Sequence, residues 1–215
     1  MTTTLQVTLT PTADRTPATV ETTSELSGAQ WISRFPTSTS LDDLESPFKE
    51  NVTSFIAALK AAGAAVTIAA TRRPKERAYL MHWCFKITKG KAKADNIPKM
   101  AGVDIKWDHS DADGKYSESE SIKAAKAMVS GYGMQGLVGL APALNSRHIQ
   151  GNAIDMNISW SGTLSITDVK GEIVEIATSP RTGMNETLHK VGAGYNVIKY
   201  NGSGVDKPHW STDGR

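Results

Sequence analysis

Hydrophobic residues recur at helical spacing between residues 46 and 63. The apolar positions lie three or four residues apart, so that one face of a helix would be apolar and the other polar. Ser46 and Pro47 suit the start of such a helix, and Gly63 suits its end. The pattern predicts an amphipathic helix whose apolar face carries Phe48, Val52, Phe55, Ile56 and Leu59.

Other segments carry helical or strand patterns of their own. Further helices are expected from Pro74 to residue 87, over 121–133 and over 185–194. Strands are expected over 65–71, 153–160 and 195–200, and a hairpin is expected over 162–177, with its turn at the sequence DVKG. The segment 65–71 has the pattern of a short buried strand. Helices and strands mix without regular alternation, so the predicted fold class is α+β.

The chain divides into a polar N-terminal arm and one domain. The first 23 residues contain ten threonines and few large apolar residues, so residues 1–28 are interpreted as an arm with little to bury. The sequence LQVTL within it alternates, which leaves open a strand that pairs elsewhere. Residues 29–215 are long enough for one sizeable core and are interpreted as a single domain.

Composition narrows the classes of function. The chain is 39% hydrophobic and 21% charged, with a net charge of +2, which favours a globular protein and is too small to indicate a nucleic-acid partner. The single cysteine, Cys84, excludes an internal disulfide framework and is predicted to be a buried apolar residue. No apolar run reaches the roughly 20 residues of a membrane span. No coiled-coil heptads indicate association, so a monomer is expected.

The segment NSRHIQGNAIDMNISW contains the most specific candidate chemistry. His148 and Asp155 lie on either side of a turn that leads into a strand, and Gly151 permits that turn to be sharp. An aspartate among apolar strand residues costs free energy unless it is paired, protonated or metal-bound. Of the other histidines, His209 is the natural third ligand, because Pro208 stiffens its approach. Two imidazoles and one carboxylate suit zinc with an open fourth position, although an ordinary polar turn would also explain the segment.

A family resemblance strengthens the metal hypothesis. SRHIQGNAID matches the pattern S-x-H-x-x-G-x-A-x-D and resembles the zinc D-Ala-D-Ala carboxypeptidase/dipeptidase family of peptidoglycan peptidases, which includes phage endolysins. DKPHW matches the family's acidic residue three positions before a terminal histidine, and TRRPKERAYLMHW matches its arginine before proline. The resemblance covers residues 48–215 and implies a Hedgehog/DD-peptidase-like fold, with a small antiparallel sheet flanked by helices.

The resemblance also implies a role for each matching residue. Zinc would be held by His148, Asp155 and His209. Asp206 would act as the catalytic base, where the family more often has glutamate; a turn residue is the alternative reading of the aspartate. Arg73 would stabilise the oxygen of the scissile carbonyl or hold a substrate carboxylate, with neighbouring Arg72 or a plain surface arginine as alternatives. Ser146 would hydrogen-bond the substrate backbone, unless it is only a turn serine.

The implied function is zinc-dependent hydrolysis of the peptidoglycan stem peptide. Either a terminal D-alanine is removed, as in a carboxypeptidase, or the L-Ala–D-Glu bond is cut, as in an endolysin. A non-catalytic zinc-containing wall-binding or virion assembly module is the alternative. The N-terminus lacks the basic and apolar regions of a secretory signal, so action on the bacterial cell wall after release or injection is expected, from a phage or a bacterium.

The sequence HSDADGKYSESE is a candidate for a second metal site. Counted from His109, it places Asp111, Asp113, Gly114 and Glu120 at positions 3, 5, 6 and 12 of a calcium-binding loop. Histidine at position 1 is a poor ligand for a hard cation, and Asp-rich loops with glycine are usually solvated turns. Calcium binding and a plain turn both remain open at this point.

Overall fold

The computed structural model describes residues 24–202 and 206–215 and has an α+β fold, as predicted. The helices are α1 (Phe48–Ala61), α2 (Lys75–Thr88), α3 (Glu118–Gly131) and α4 (Glu186–Gly194). The strands are β1 (Glu25–Leu26), β2 (Ala65–Ala70), β3 (Ile105–Lys106), β4 (His109–Ser110), β5 (Tyr116–Ser117), β6 (Ala153–Ser159), β7 (Leu164–Thr167), β8 (Ile173–Ile176), β9 (Ile198–Lys199) and β10 (His209–Ser211). Residues 1–23 of the predicted arm lie outside the described residues.

The main sheet has four antiparallel strands in the order β2-β6-β10-β9. The strand predicted over 153–160 is β6, and its side chains alternate: Ile154, Met156 and Ile158 are buried, whereas Asp155 stands on the opposite face. On that core face Trp210 of β10 packs against Phe55 of α1, with ring centroids 5.5 Å apart. One face of the sheet therefore belongs to the core and the other is left for polar side chains.

Helix α1 covers the core face of the sheet. Its five predicted apolar residues are all at most 5% exposed, and burial of each such side chain contributes about 1.5–3 kcal/mol. Gly63 follows the helix with a φ of +85°, which suits glycine at a helix exit. The β7–β8 hairpin and α4 complete this core.

A second core lies between α2 and α3. Leu80, Cys84 and Phe85 of α2 are fully buried there, with Ala125 and Met128 of α3. The thiol of Cys84 is buried as predicted, and burial raises its pKa to about 12. Among the described residues, no helix combines the length and hydrophobicity needed to cross a bilayer.

Three expectations about elements need correction. The strand over 65–71 exists, but β2 is an edge strand with alternate residues exposed, so it is not a buried strand. The strand expected over 195–200 was the last one in the prediction, but a further strand, β10, follows it and lies between β6 and β9. Residues at the end of the predicted arm join the fold, because β1 pairs in parallel with β3.

Candidate metal centre

Strand register brings together three side chains that lie far apart in the chain. β6 and β10 pair so that His209 lies directly opposite Asp155. The next cross-strand pair, Trp210 and Ile154, is fully buried in the core, so His209 and Asp155 stand on the other face. His148, in the turn before β6, places its imidazole against both of them.

The turn that carries His148 depends on a glycine. Gly151 has a φ of +70°, which most other residues avoid. A Cβ built at this position would lie 2.9 Å from Glu45 Cγ and 3.1 Å from its backbone nitrogen. The predicted sharp turn at Gly151 is therefore confirmed, and close packing against the chain before α1 is a second reason for glycine.

The three inner atoms form a nearly equilateral triangle. His148 Nε2 lies 3.1 Å from Asp155 Oδ1 and 3.2 Å from His209 Nδ1, and His209 Nδ1 lies 3.2 Å from Asp155 Oδ1. Ligand atoms about 2.0–2.1 Å from a tetrahedral zinc ion are separated from one another by about 3.3–3.4 Å. The triangle is thus within a few tenths of an ångström of the spacing that three ligands of one ion require.

The outer nitrogens of both imidazoles face main-chain oxygens. His148 Nδ1 lies 2.6 Å from the carbonyl oxygen of Thr71, and His209 Nε2 lies 3.1 Å from the main-chain oxygen of Arg215. Since these oxygens only accept, each outer nitrogen carries a proton. When no further proton is present, the inner nitrogens present lone pairs to each other and to the Asp155 carboxylate. Such a centre requires a cation between its members, either a proton or a metal ion.

The electrostatics of Asp155 agree with this arrangement. Burial by itself raises the pKa of the Asp155 carboxyl, but hydrogen bonds and charge interactions with His148 and His209 outweigh burial and hold the pKa below its ordinary value. Asp155 is therefore a carboxylate at neutral pH. Among the described residues, these three form the one group of His, Cys, Asp and Glu side chains whose ligand atoms converge.

Arg73 faces this centre, whereas Arg72 does not. The Arg73 amide donates to the carbonyl oxygen of His148 at 3.1 Å. Burial lowers the pKa of Arg73, and the charges of Asp155 and Asp206 oppose that effect, so the guanidinium lies within their field. Its Nε is buried and has no hydrogen-bond partner in the described part of the chain. Arg72 instead forms an exposed ion pair with Glu45.

Ser146 belongs to the turn before His148 and also carries an unused hydroxyl. Its carbonyl oxygen accepts from Ile149 N at 3.0 Å, which is the turn role foreseen for it. Its Oγ is buried without a hydrogen-bond partner in residues 24–202 and 206–215. A buried hydroxyl without a partner is costly, so both Ser146 and Arg73 retain an unsatisfied polar atom near the three ligands.

Asp206 lies on the approach to β10 and is exposed. Its carboxylate is not a member of the converging group, but its charge acts on both Arg73 and Lys199. Its main-chain oxygen accepts a hydrogen bond of 2.7 Å from Lys199 Nζ. Asp206 therefore stands at the edge of the centre, close enough to interact electrostatically and without a metal-ligand position.

Lys199 is a site residue that the sequence did not reveal. It is only 5% exposed, and its Nζ donates to the main-chain oxygens of both Asp206 and His209. Burial lowers its pKa, while Asp206 and Asp155 oppose that effect. The one available signal was a lysine inside the apolar sequence NVIKY. This lysine ties together the segment that carries the third ligand.

The residues after β10 form the other support of His209. Arg215 N donates to Ser211 Oγ at 2.9 Å and to Asp213 Oδ1 at 3.2 Å, and Asp213 pairs with Arg147. These contacts hold the main-chain oxygen that His209 Nε2 faces. Hydrogen bonds of this kind orient metal-binding histidines.

The predicted calcium loop is a β-hairpin that leads into a helix. Strands β4 and β5 pair across the turn, and Asp111 Oδ1 accepts from the amides of Asp113 and Lys115. Glu120 lies in the first turn of α3 and pairs with Lys123. Among the described residues, the carboxylates of this segment do not belong to a converging group of His, Cys, Asp and Glu side chains, and calcium binding here stays a prediction.

Comparison with known proteins adds no relative. No protein-family model, no curated protein and no solved structure matches this chain. The resemblance carried by SRHIQGNAID and DKPHW therefore stays a prediction, and the geometry of the described residues carries the functional argument.

Proposed function

We propose that this protein is a zinc metallopeptidase that hydrolyses peptide bonds in the stem peptide of peptidoglycan. The observation that carries the proposal is the convergence of His148 Nε2, Asp155 Oδ1 and His209 Nδ1 at mutual distances of 3.1–3.2 Å. The outer nitrogen of each ring faces a main-chain oxygen, so the inner atoms offer lone pairs to a cation. Substrate class follows from the resemblance of the ligand motifs.

Zinc fits this donor set better than a hard cation. Two imidazole nitrogens and one carboxylate oxygen are typical catalytic zinc ligands, whereas calcium takes six to eight oxygens. A zinc ion held by three protein ligands supplies Lewis acidity and lowers the pKa of a water molecule in the remaining position toward 7.

The residues around the ligands have chemically reasonable roles. Asp206 is exposed and lies three residues before His209, so its carboxylate can accept a proton from water and return it to the leaving amine. Arg73 can donate hydrogen bonds from its guanidinium, including the unused Nε, to the oxygen of the scissile carbonyl as negative charge develops on that oxygen. Ser146 Oγ can hydrogen-bond the substrate main chain.

Two clefts are lined by residues that lie next to the ligands along the chain. One, of about 500 Å³, is lined by Arg73 and by Ile149, the residue after His148. The other, of about 570 Å³, is lined by Asn157, two residues beyond Asp155, and by Lys207. A carboxypeptidase and an L-Ala–D-Glu endopeptidase share the same chemistry and differ in how far such clefts extend, so both bonds are candidate substrates.

The decisive experiment combines metal analysis with digestion of purified muropeptides. Protein prepared without a histidine tag is expected to contain about one zinc per chain. Mass spectrometry of the digest would show loss of one alanine for a carboxypeptidase, or loss of the stem beyond L-alanine for an endopeptidase. Arg73→Ala should lower hydrolysis by about 10²- to 10³-fold, whereas Lys60→Ala, at an exposed position of α1, should leave it unchanged.

A non-catalytic zinc-containing module for wall binding or virion assembly is the second candidate. The identity of Asp206 favours it, because aspartate is one methylene shorter than the glutamate common in the family. Stoichiometric zinc, sedimentation with cell walls and no cleavage of any muropeptide, even by Asp206→Glu, would favour binding over catalysis. Absence of zinc from the purified protein would contradict both.

A further inference from the structure

Exposed apolar side chains concentrate in the loop between α3 and β6. Val138 is 93% exposed and Leu140 is 84% exposed, and Leu137 and Leu144 are also exposed. These four are half of the eight large hydrophobic residues exposed in the described chain, and they lie within eight consecutive positions. Single exposed apolar residues need no explanation, but a concentrated group indicates an interaction surface. Residues 137–144 are called the apolar loop below.

Lysines crowd the end of α2 and the turn that follows. No acidic residue occurs between residues 80 and 94, and the segment carries four lysines: Lys86, Lys89, Lys91 and Lys93. The apolar loop likewise contains no charged residue. The two segments together therefore present positive charge and apolar side chains, with no acidic side chain of their own.

Direct contacts place these two segments on one surface. Lys91 Nζ donates to the carbonyl oxygen of Gly139, inside the apolar loop, at 2.7 Å. His82 Nδ1 lies 2.8 Å from the carbonyl oxygen of Pro142. Trp83 lines a cleft with Leu144 and with a fifth lysine, Lys99. The apolar loop is therefore held along α2, with the exposed Val138 and Leu140 on either side of the residue that Lys91 contacts.

We propose that this surface docks on a lipid bilayer with anionic headgroups. Lysines near such a bilayer attract its phosphates, and exposed Val and Leu side chains gain free energy by entering the boundary between headgroups and acyl chains. A purely polyanionic partner would use the lysines but leave Val138 and Leu140 in water. A second copy of this chain would bring one lysine cluster against another, which is repulsive. The anionic bilayer satisfies both features at once.

This inference is independent of the proposed peptidase activity. The apolar loop ends two residues before Ser146, so docking would hold the metal centre near the lipid surface. None of the lysines or exposed apolar residues is a ligand, and removal of metal with a chelator should leave vesicle binding unchanged.

The test is cosedimentation of the full chain with vesicles. We expect binding to vesicles that contain phosphatidylglycerol, much weaker binding to phosphatidylcholine alone, and release by high salt. Val138→Ser with Leu140→Ser should weaken binding to anionic vesicles by about tenfold or more, since serine side chains have no apolar carbons to enter the boundary between headgroups and acyl chains. The matched control is Val169→Ser with Ile173→Ser, two exposed apolar residues on the β7–β8 hairpin, and it should bind like the natural chain.

The lysines are tested by three neutral substitutions with a matched control of equal charge change. Lys89→Gln, Lys93→Gln and Lys99→Gln together should reduce binding and its salt dependence. The control replaces the exposed lysines Lys60, Lys170 and Lys190. The proposal would be overturned by equal binding to neutral and anionic vesicles, or by control variants that weaken binding as much as the variants of the docking surface do. It would also be overturned if the chain did not bind vesicles and instead self-associated in a concentration-dependent way that the Val138 and Leu140 changes abolished.

Discussion

Zinc should stabilise the folded chain, and Asp155 should be required for that effect. The ligands are 7 and 61 residues apart along the chain, counted from His148 to Asp155 and to His209, so they converge only when β6 and β10 are paired. Metal that binds the folded state and not the unfolded state raises the free energy of unfolding through mass action.

The size of the effect follows from binding and chain length. At a free zinc concentration 1,000-fold above the dissociation constant, stabilisation is about 4.1 kcal/mol. For a chain of 150–250 residues this corresponds to a rise in Tm of about 8–16 °C. Asp155→Ala removes one of three ligands, and if affinity falls about a hundredfold, stabilisation at the same zinc concentration drops to about 1.4 kcal/mol.

The assay is thermal unfolding followed by circular dichroism, with zinc or with a chelator. Asp113→Ala is the matched control, because Asp113 is an exposed aspartate in the β4–β5 turn, and it should retain the full zinc effect. Calcium should leave Tm unchanged for all three proteins. Equal Tm values with and without zinc, or a full zinc effect in Asp155→Ala, would refute the reasoning about the centre.

Three further predictions concern a support of the site, a buried thiol and a tight packing contact. Lys199→Met removes two hydrogen bonds to main-chain oxygens, so the zinc dissociation constant should rise about 10- to 100-fold. Chelator competition measures this constant, with Lys190→Met as the control. Equal dissociation constants for the two variants would contradict the supporting role of Lys199. Because the pKa of Cys84 is raised from 9.0 to about 12, the unfolded thiol ionises first as pH rises. Ionisation of the thiol then lowers the free energy of unfolding by about 1.4 kcal/mol per pH unit from about pH 9 upward. Urea unfolding should show that the free energy of unfolding falls less steeply with pH in Cys84→Ala than in the natural chain. Identical slopes for the two proteins would exclude the thiol as a cause. Gly192→Ala would put a Cβ 2.7 Å from the Trp210 ring and should cost about 1–3 kcal/mol in the same assay, whereas Gly136→Ala meets nothing within 4 Å and should be neutral.

Local patterns predicted the long elements well. The apolar spacing in α1 and the alternation in β6 arise from helix and strand geometry, and both were confirmed because each element buries the face that its own sequence makes apolar. β10 was missed because three residues, His209–Ser211, are too few to show alternation. The burial of β2 was misjudged because small alanines on an edge strand resemble the residues of an interior one.

At the candidate site, too, the sequence predicted some features and only the tertiary structure decided others. Residue types and spacing suggested His148, Asp155 and His209, and the resemblance of SRHIQGNAID and DKPHW to a zinc peptidase motif selected them from the other histidines and acidic residues of the chain. The choice of Arg73 over Arg72 could not be made from sequence, since it depends on where β2 ends relative to His148. The role of Lys199 was hidden for a similar reason, because its partners are main-chain oxygens of Asp206, just before β10, and of His209, within β10.

By itself, the sequence determined which segments are helical or extended, which face of each is apolar, and which side chains can bind a metal ion. These are properties of neighbouring residues, and the period of the backbone is enough to express them. Only the tertiary structure decided that His209 stands opposite Asp155, that Thr71 and Arg215 orient the two imidazoles, and that the calcium-like segment is a hairpin. Those outcomes depend on strand register and long-range hydrogen bonds, which form when distant parts of the chain pack together.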